Sequence, residues 1–294
     1  MKTVKKVCLL ILTAALIFST ASCTDVQKEN PSVWLIVKST ETQFWKAAFV
    51  GANAAKSEYN VDLTIHGPET EEDYETQNRY IRQAIAAGAD AIVLSAISYT
   101  GNAEAVDEAV EAGRIACRTA LNTEEPVLNV GIINFDAGVR NGQERESGFR
   151  EELYQDDRVR QIYTINVLTT VEEAERQTRV LLTAHPEINV LVSFNEPLAV
   201  GAARAVDNLH LEDQVRLVCF DTNLECIDKM QRGIVSALIV QNPYAMGYLG
   251  VETACKIING RYQENGEFLT TPAVVVTKDN MFTLEGQKVL FPFG

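Results

Sequence analysis

The stretch NVLVSFNEPLAVGAARAVDNLHLEDQVRLVCFDTNLECIDKMQRGIVSALIVQ, residues 189–241, holds three apolar runs separated by two segments with helical spacing of apolar residues. Each apolar run stops at a polar residue: Asn195, Asp221 and Gln241. Alternating strands and helices predict an open parallel α/β sheet, in which the carboxyl ends of the strands meet at one edge and form a crevice. The sequence therefore predicts that these three side chains lie together around a pocket.

The same alternation extends over most of the chain. Further strand-like runs are residues 33–37, 61–65, 91–95, 127–134 and 161–166, and a last run at 273–277 has no helix after it. Further helical patterns are residues 44–59, 74–87, 102–112, 147–154, 171–184 and 244–259. This repetition predicts an α/β protein with more than one doubly wound parallel sheet. The length permits two domains of ordinary size.

The N-terminus has the pattern of an export signal. Three lysines precede an apolar run over residues 7–18, which is shorter than the roughly 20 residues of a membrane-spanning helix. Small residues directly before Cys23 resemble a bacterial lipobox, although Thr20 stands where that motif usually has leucine. We therefore predict a signal peptide over residues 1–22, a lipid-bearing Cys23 that anchors the mature protein to the bacterial cell membrane, and a polar tether over 23–31. The alternative is a plain secretory signal with an incidental cysteine.

Composition and motifs argue against several classes of protein. The chain has 26 Lys+Arg against 40 Asp+Glu, and removing the three N-terminal lysines leaves 23 against 40, so no nucleic-acid partner is expected. It has no G-x-S-x-G elbow, Walker A loop, G-x-G-x-x-G fingerprint or H-E-x-x-H pair, and no catalytic residue is nominated. The three histidines lie far apart, so neither a metal nor another cofactor is expected. The cysteines of the folded body are expected to be buried apolar residues rather than disulfides: Cys117, Cys219, Cys226 and Cys255.

Four blocks in a fixed order carry a specific resemblance. They are QERESGFREEL (143–153), FNEPLAVGAARAV (194–206), LVCFDTNLECIDKM (217–230) and IVQNPYAMGYLGVETACKIING (239–260). They resemble the ribose-binding-protein type of periplasmic solute receptor, a group related to the ligand-binding part of lac-repressor-type regulators. The resemblance implies two Rossmann-like lobes joined by crossing strands. It also implies a monomer that closes on a monosaccharide or similar small polyol and delivers this ligand to an ABC transporter permease. The implied first lobe is 32–113 plus 243–272, and the implied second lobe is 114–242 plus 273–294.

The resemblance also implies ligand-binding roles for individual residues. Phe44 and Trp45 match aromatics that flank the sugar ring, and Arg145 matches an arginine that donates to sugar oxygens. Asn195, Asp221 and Gln241 match polar contacts at successive strand ends. The alternatives are ordinary ones: the two aromatics as the first apolar residues of a helix, Arg145 as a solvated residue at a helix start, and the other three as helix caps or turn residues.

One departure from the family pattern lies near Gly113 and Arg114. After the third strand and the helix at 102–112 the family has a fourth strand, whereas here the chain continues directly into AGRIACRTAL, which resembles the next lobe's first helix. We estimate that about 25 to 30 residues are absent, from the usual length of a strand with its loops and a crossing segment. The first lobe is therefore predicted to lack one strand, either through an internal deletion or as a natural rearrangement.

Three functions follow from these expectations. The first is an extracytoplasmic lipoprotein receptor that serves a sugar transporter. The second is a sugar or signal-molecule sensor that partners a membrane histidine kinase, because the same fold serves both. The third is a deletion variant with defective binding. An enzyme has no support in the motifs, and a cytoplasmic transcription regulator is disfavoured because no pair of DNA-binding helices precedes Val33.

Overall fold

A computed structural model describes residues 30–97, 104–135, 140–262 and 269–291. The strands are β1 (Ser32–Ile36), β2 (Asp62–His66), β3 (Ala91–Leu94), β4 (Leu128–Phe135), β5 (Val159–Val167), β6 (Val190–Ser193), β7 (Arg216–Phe220), β8 (Ala237–Val240) and β9 (Val274–Thr277). The helices within these ranges are α1 (Gln43–Tyr59), α2 (Tyr74–Ala86), α3 (Glu104–Ala120), α4 (Arg140–Leu153), α5 (Val171–Ala184), α6 (Glu196–Leu209), α7 (Leu224–Arg232), α8 (Pro243–Ile258) and α9 (Leu284–Leu290). The predicted α/β class with two largely parallel sheets is confirmed.

The first sheet has the order β2-β1-β3, and all its strands are parallel. Helices α1 and α8 pack tightly against each other and contribute to the core beside it. Their backbones touch at Gly51 and Gly247, where a Cβ atom would lie 1.9 Å from a carbonyl oxygen of the other helix. Only glycine permits this approach. Since α8 comes from late in the chain, this lobe is assembled from two separate stretches of sequence.

The second sheet has the order β5-β4-β6-β7-β8-β9, and only β9 runs antiparallel to its neighbour. Every residue of β6 and β8 is buried, a pattern that requires cover on both faces of the sheet. The closely packed pairs α3–α4 and α5–α6 contact these strands. Phe194 lies at the centre of the core, with its ring centroid 5.8 Å from that of Phe149 and 5.5 Å from that of Phe220.

Helix α3 contains Gly113 and Arg114, where the sequence departs from the family pattern. The sequence suggested a helix ending at residue 112 and a second one beginning near Arg114, whereas the structure has one helix over Glu104–Ala120. Its buried side chains at Ala112, Ala116 and Ala120 belong to the core of the six-stranded sheet. The lobe boundary expected between 113 and 114 therefore falls inside a helix that packs on the second sheet. A missing segment stays a prediction.

Four cysteine thiols lie in the described part of the molecule, and all are buried and free. Burial raises the pKa of Cys117 and of Cys219 to about 12. Burial also raises the pKa of Cys226 and of Cys255 above the ordinary thiol range. These side chains act as small apolar groups of the core, as their positions on apolar strand and helix faces predict.

We predict that the two sheets differ in local stability. No residue of β2 or β3 is fully buried, whereas β6 and β8 are buried throughout, so the first sheet is expected to open more readily. Native-state hydrogen exchange should therefore show faster exchange of the β1–β3 amides than of the β6–β8 amides. Equal protection of the two sheets would contradict this expected difference in local stability.

Candidate functional site

A cavity of about 260 Å³ lies between residues of the two lobes. All six side chains nominated from the sequence line it: Phe44, Trp45, Arg145, Asn195, Asp221 and Gln241. The first lobe adds Lys38 and Glu71, and the second adds Glu196. Apolar side chains of β1, β3 and α8 complete the wall. The cavity therefore combines apolar surface with a few converging polar groups, which is the usual composition of a small-molecule site.

Arg145 is the polar centre of this cavity. It lies within α4 rather than at the start of a helix, and only 5% of its surface is exposed. Its Nη1 donates to the carbonyl oxygen of Phe194, and its Nη2 donates to Oε1 of Gln241 at 2.5 Å. Its Cζ lies 4.6 Å from the centroid of the Phe220 ring. One guanidinium thus joins the residues that end or follow β6, β7 and β8.

Three buried polar atoms of the cavity wall have no hydrogen-bond partner among the described residues. They are Arg145 Nε, Asn195 Nδ2 and Asp221 Oδ1. Two of them are donors and one is an acceptor, provided that the Asp221 carboxyl is ionised. Buried polar groups are costly when unpaired. The arrangement therefore favours a ligand that both accepts and donates hydrogen bonds, as a polyhydroxylated molecule does.

Helix capping explains one of the three strand-end residues only. Asn195 caps α6, since its Oδ1 accepts from the backbone amide of Leu198 at 3.2 Å. The caps of α7 and α8 are Asn223 and Asn242. Asp221 and Gln241 are therefore not the caps of those helices. Asp221 also adopts a φ of 62°, a left-handed conformation that is uncommon outside glycine and is concentrated at functional sites.

The electrostatics of the cavity disfavour charge. Burial raises the pKa of Asp221 to about 7, against the opposing effect of the nearby Arg145 charge. Burial lowers the pKa of Lys38 to about 8, against the opposing effect of the Glu71 carboxylate. Both changes have the same cause, because removal from water destabilises the charged form of either group. Near neutral pH these two groups change their protonation state easily.

The two nominated aromatics have different surroundings. Trp45 is buried within the core of the first sheet, and its indole Nε1 donates to Glu71 Oε1 at 2.8 Å. Phe44 is half-buried and packs edge-on against Trp45, with ring centroids 5.0 Å apart. Trp45 therefore combines a core position with a place on the cavity wall, and Phe44 is the more accessible ring.

Two carboxylates cross between the lobes in opposite directions, and we call Glu196 and Glu72 the carboxylate clasps. Glu196 of α6 accepts from the backbone amides of Gln43 at 3.2 Å and Phe44 at 2.9 Å, at the first turn of α1. Glu72, in the loop before α2, accepts from the Thr169 backbone amide at 3.0 Å and from the Thr169 hydroxyl. A carboxylate at a helix N-terminus is stabilised by the unpaired amides and the helix dipole. The clasps hold the described lobes together around the cavity.

Sequence reasoning missed Lys38, Glu71 and the clasps. Lys38 directly follows the apolar run of the first strand, so the strand-end signal that selected Asp221 could also have found it. Glu71 and Glu72 lie in a loop, where a run of acidic residues is ordinary solvated sequence. Glu196 directly follows Asn195, but nothing in the local pattern shows that its carboxylate reaches the other lobe. No local signal reveals a contact between distant parts of a chain.

Some features are absent from the residues that the structure describes. They contain no group of three or more His, Cys, Asp or Glu side chains placed to hold a metal ion. None of the helices in these ranges is long and apolar enough to cross a membrane. The predicted signal peptide, Cys23 and nearly all of the tether lie outside the described residues.

This protein has two α/β lobes and, between them, a cavity into which several polar side chains converge. These features are typical of two-lobed small-molecule receptors. A periplasmic binding protein domain matches residues 33–116 and 116–261. The chain therefore belongs to the periplasmic binding protein family, whose members bind solutes and are not enzymes. The two matched segments meet at Ala116, inside α3 and close to the departure at Gly113.

Individual relatives and a solved structure match most of the chain. A D-ribose/D-allose-binding protein of Pseudomonas aeruginosa is 25% identical over 307 residues, which cover 91% of this chain and 95% of that protein. A ribose import binding protein of Salmonella typhimurium is 27% identical over 221 residues, or 71% and 72% of the two chains. A carbohydrate transporter solute-binding protein from Agrobacterium radiobacter, in complex with D-arabinose, superposes with a TM-score of 0.83 at 24% identity and covers 90% of this chain and 99% of that chain.

The raised pKa of Asp221 predicts a specific pH dependence of stability. In the unfolded chain an aspartate has a pKa of about 3.9, whereas the folded value is about 7. This difference contributes stability that is fully present below the unfolded pKa and is lost as the pH rises through the folded pKa. We therefore expect the ligand-free wild type to lose stability, relative to Asp221→Asn, as the pH rises from about 4 to 7.

Thermal melts at constant ionic strength measure this difference. The matched control is Asp228→Asn, because Asp228 lies on α7 with 64% of its side chain exposed. The melting temperature of this control should follow that of the wild type by a constant difference across the pH range. Parallel pH profiles of Asp221→Asn and the wild type would contradict the assigned protonation.

Proposed function

We propose that this protein is an extracytoplasmic receptor that binds a monosaccharide between its two lobes and delivers it to an ABC transporter permease. The observation that carries the proposal is the set of unpaired polar atoms on Arg145, Asn195 and Asp221 beside the Phe44 ring. A sugar has hydroxyls that donate and accept, and C–H faces that suit an aromatic plane. The names of the relatives, which mention ribose, allose and arabinose, support the same ligand class.

The proposed mechanism is capture by closure of the lobes. Phe44 and Trp45 belong to the first lobe, whereas Arg145, Asn195 and Asp221 belong to the second. A sugar in the cavity touches both lobes and therefore stabilises the closed state relative to the open one. Gln241 precedes α8, where the chain passes from the second sheet to the first. The closed form then presents a composite surface to the permease.

We place the lobe boundaries by packing. The proposed first lobe contains β1–β3 with α1, α2 and α8, and the second contains β4–β9 with the other helices. This division assigns α3 to the second lobe, because its buried face belongs to the core there. It otherwise keeps the division implied by the family resemblance, with residues 243–272 in the first lobe and 273–294 in the second.

A panel of sugars tests the proposed function. At about a hundredfold excess over its dissociation constant, a ligand should add about 2.7 kcal/mol to the stability of the folded chain. Arg145→Ala and Asp221→Ala should each weaken binding by about 1.5 to 3 kcal/mol, the range for hydrogen bonds to charged groups. Thermal melts with pentoses, hexoses and small polyols identify the ligand, and calorimetric titration measures the two variants.

The control is Arg176→Ala, because Arg176 lies on α5 with 61% of its side chain exposed and forms an ion pair with Glu173 of the same helix. It should bind like the wild type. A cooperative melt that no sugar or polyol shifts would overturn the sugar proposal. Wild-type affinity in both cavity variants would overturn the assigned site, even if a sugar binds.

We also propose that the mature protein is a monomeric lipoprotein anchored through Cys23. The support is the apolar run at 7–18 followed by small residues before Cys23. In bacterial cells, Cys23→Ser should abolish incorporation of a metabolically supplied fatty-acid label, because the acyl chains are attached at Cys23. Gel analysis of the labelled protein measures this effect, with the unsubstituted protein as the control. Labelling of the variant at the wild-type level would contradict the anchor.

A further inference from the structure

A second cavity of about 380 Å³ adjoins the first. Phe44, Asp221 and Gln241 line both cavities. The remaining wall comes from both lobes: Ala47 of α1 faces α7, the start of α8 and the C-terminal helix α9. The two cavities therefore meet at residues that the proposed sugar site already uses.

The second cavity differs from the first in chemistry. Its own lining is mainly apolar and includes Ala47, Ile227, Val240, Val289, Leu290 and Phe291. Thr222 is one of its few polar residues, and its buried hydroxyl has no partner among the described residues. A second sugar ring would leave most of its hydroxyls without partners there. A mainly apolar group fits these walls.

We propose that the receptor takes sugars that carry an apolar substituent, with the sugar in the first cavity and the substituent in the second. This inference rests on the proposed function. The proposed ligand passes beside Phe44 and Gln241, whose side chains line both cavities. Leu224 and Phe291 of the second cavity's wall are 65% and 36% exposed, so an apolar substituent against them removes apolar surface from water.

Calorimetric titration of the full mature protein with matched ligands tests this proposal. The probes are D-arabinose, D-galactose and D-fucose, each as the free sugar, the methyl pyranoside and the phenyl pyranoside. The phenyl form of the accepted sugar should bind at least tenfold more tightly than its methyl form, because only the phenyl ring reaches the second cavity. Equal affinities, or rejection of both glycosides while a free sugar binds, would overturn the inference and leave the proposed function intact.

Two variants locate the effect, one on each side of the second cavity. Ala47→Leu on α1 and Val289→Trp on α9 fill space in that cavity, and neither residue lines the first one. Each should remove the advantage of the phenyl form and leave the affinity for the free sugar unchanged. The control is Val50→Leu, an exposed position on α1 outside both cavities, which should keep the advantage.

The remaining outcomes are also decisive. If phenol alone binds as tightly as the phenyl glycoside, the second cavity is an independent apolar site. That result would contradict the inference of one ligand spanning both cavities. An advantage of the phenyl form that survives in both filled variants would place the ring elsewhere. If no sugar, free or substituted, binds at all, the proposed function itself fails.

Discussion

The geometry of the cavity depends on the contacts of the Arg145 guanidinium. It donates to the Phe194 carbonyl and to Gln241 and lies over the Phe220 ring, so a single planar fork orders the carboxyl edge of the second sheet. A guanidinium suits this role because its donors are held in fixed directions and its face stacks on an aromatic ring. The same group still has Nε unpaired. Ordering of the sheet edge and readiness for a ligand are therefore properties of one side chain.

The sequence predicted the strands of the second sheet, and parallel topology alone brings the ends of β6, β7 and β8 together at one edge. Arg145 came from the family resemblance, since nothing in its helical surroundings marks it as buried. The expected end of the helix at residue 112 was wrong, because one helix continues to Ala120. Val110, Gly113, Ala116 and Ala120 are spaced by three or four residues and form one apolar face of that helix. The clasps could not be predicted, because each joins residues about 100 or more positions apart.

The carboxylate clasps change how ligand affinity arises. Both act between protein groups of the two lobes, so in the proposed mechanism they favour closure independently of the ligand. A ligand shifts a conformational equilibrium only by its differential affinity for the two states. In the proposed closure, Glu196 and Glu72 supply part of the closing free energy, and the burial of polar atoms that lack partners among the described residues offsets part of it. The affinity for the proposed ligand then reflects this balance as well as the direct contacts.

The buried cysteines bear on how such a chain survives export. Thiol–disulfide exchange proceeds through the thiolate, and burial raises the pKa of all four described thiols. In the folded protein the reactive form is scarce and out of reach, so an oxidising compartment leaves the native chain uncrosslinked. The unfolded chain has no such protection. In an oxidising compartment, folding of the second lobe, which holds Cys117, Cys219 and Cys226, would therefore compete in time with oxidation of the unfolded chain.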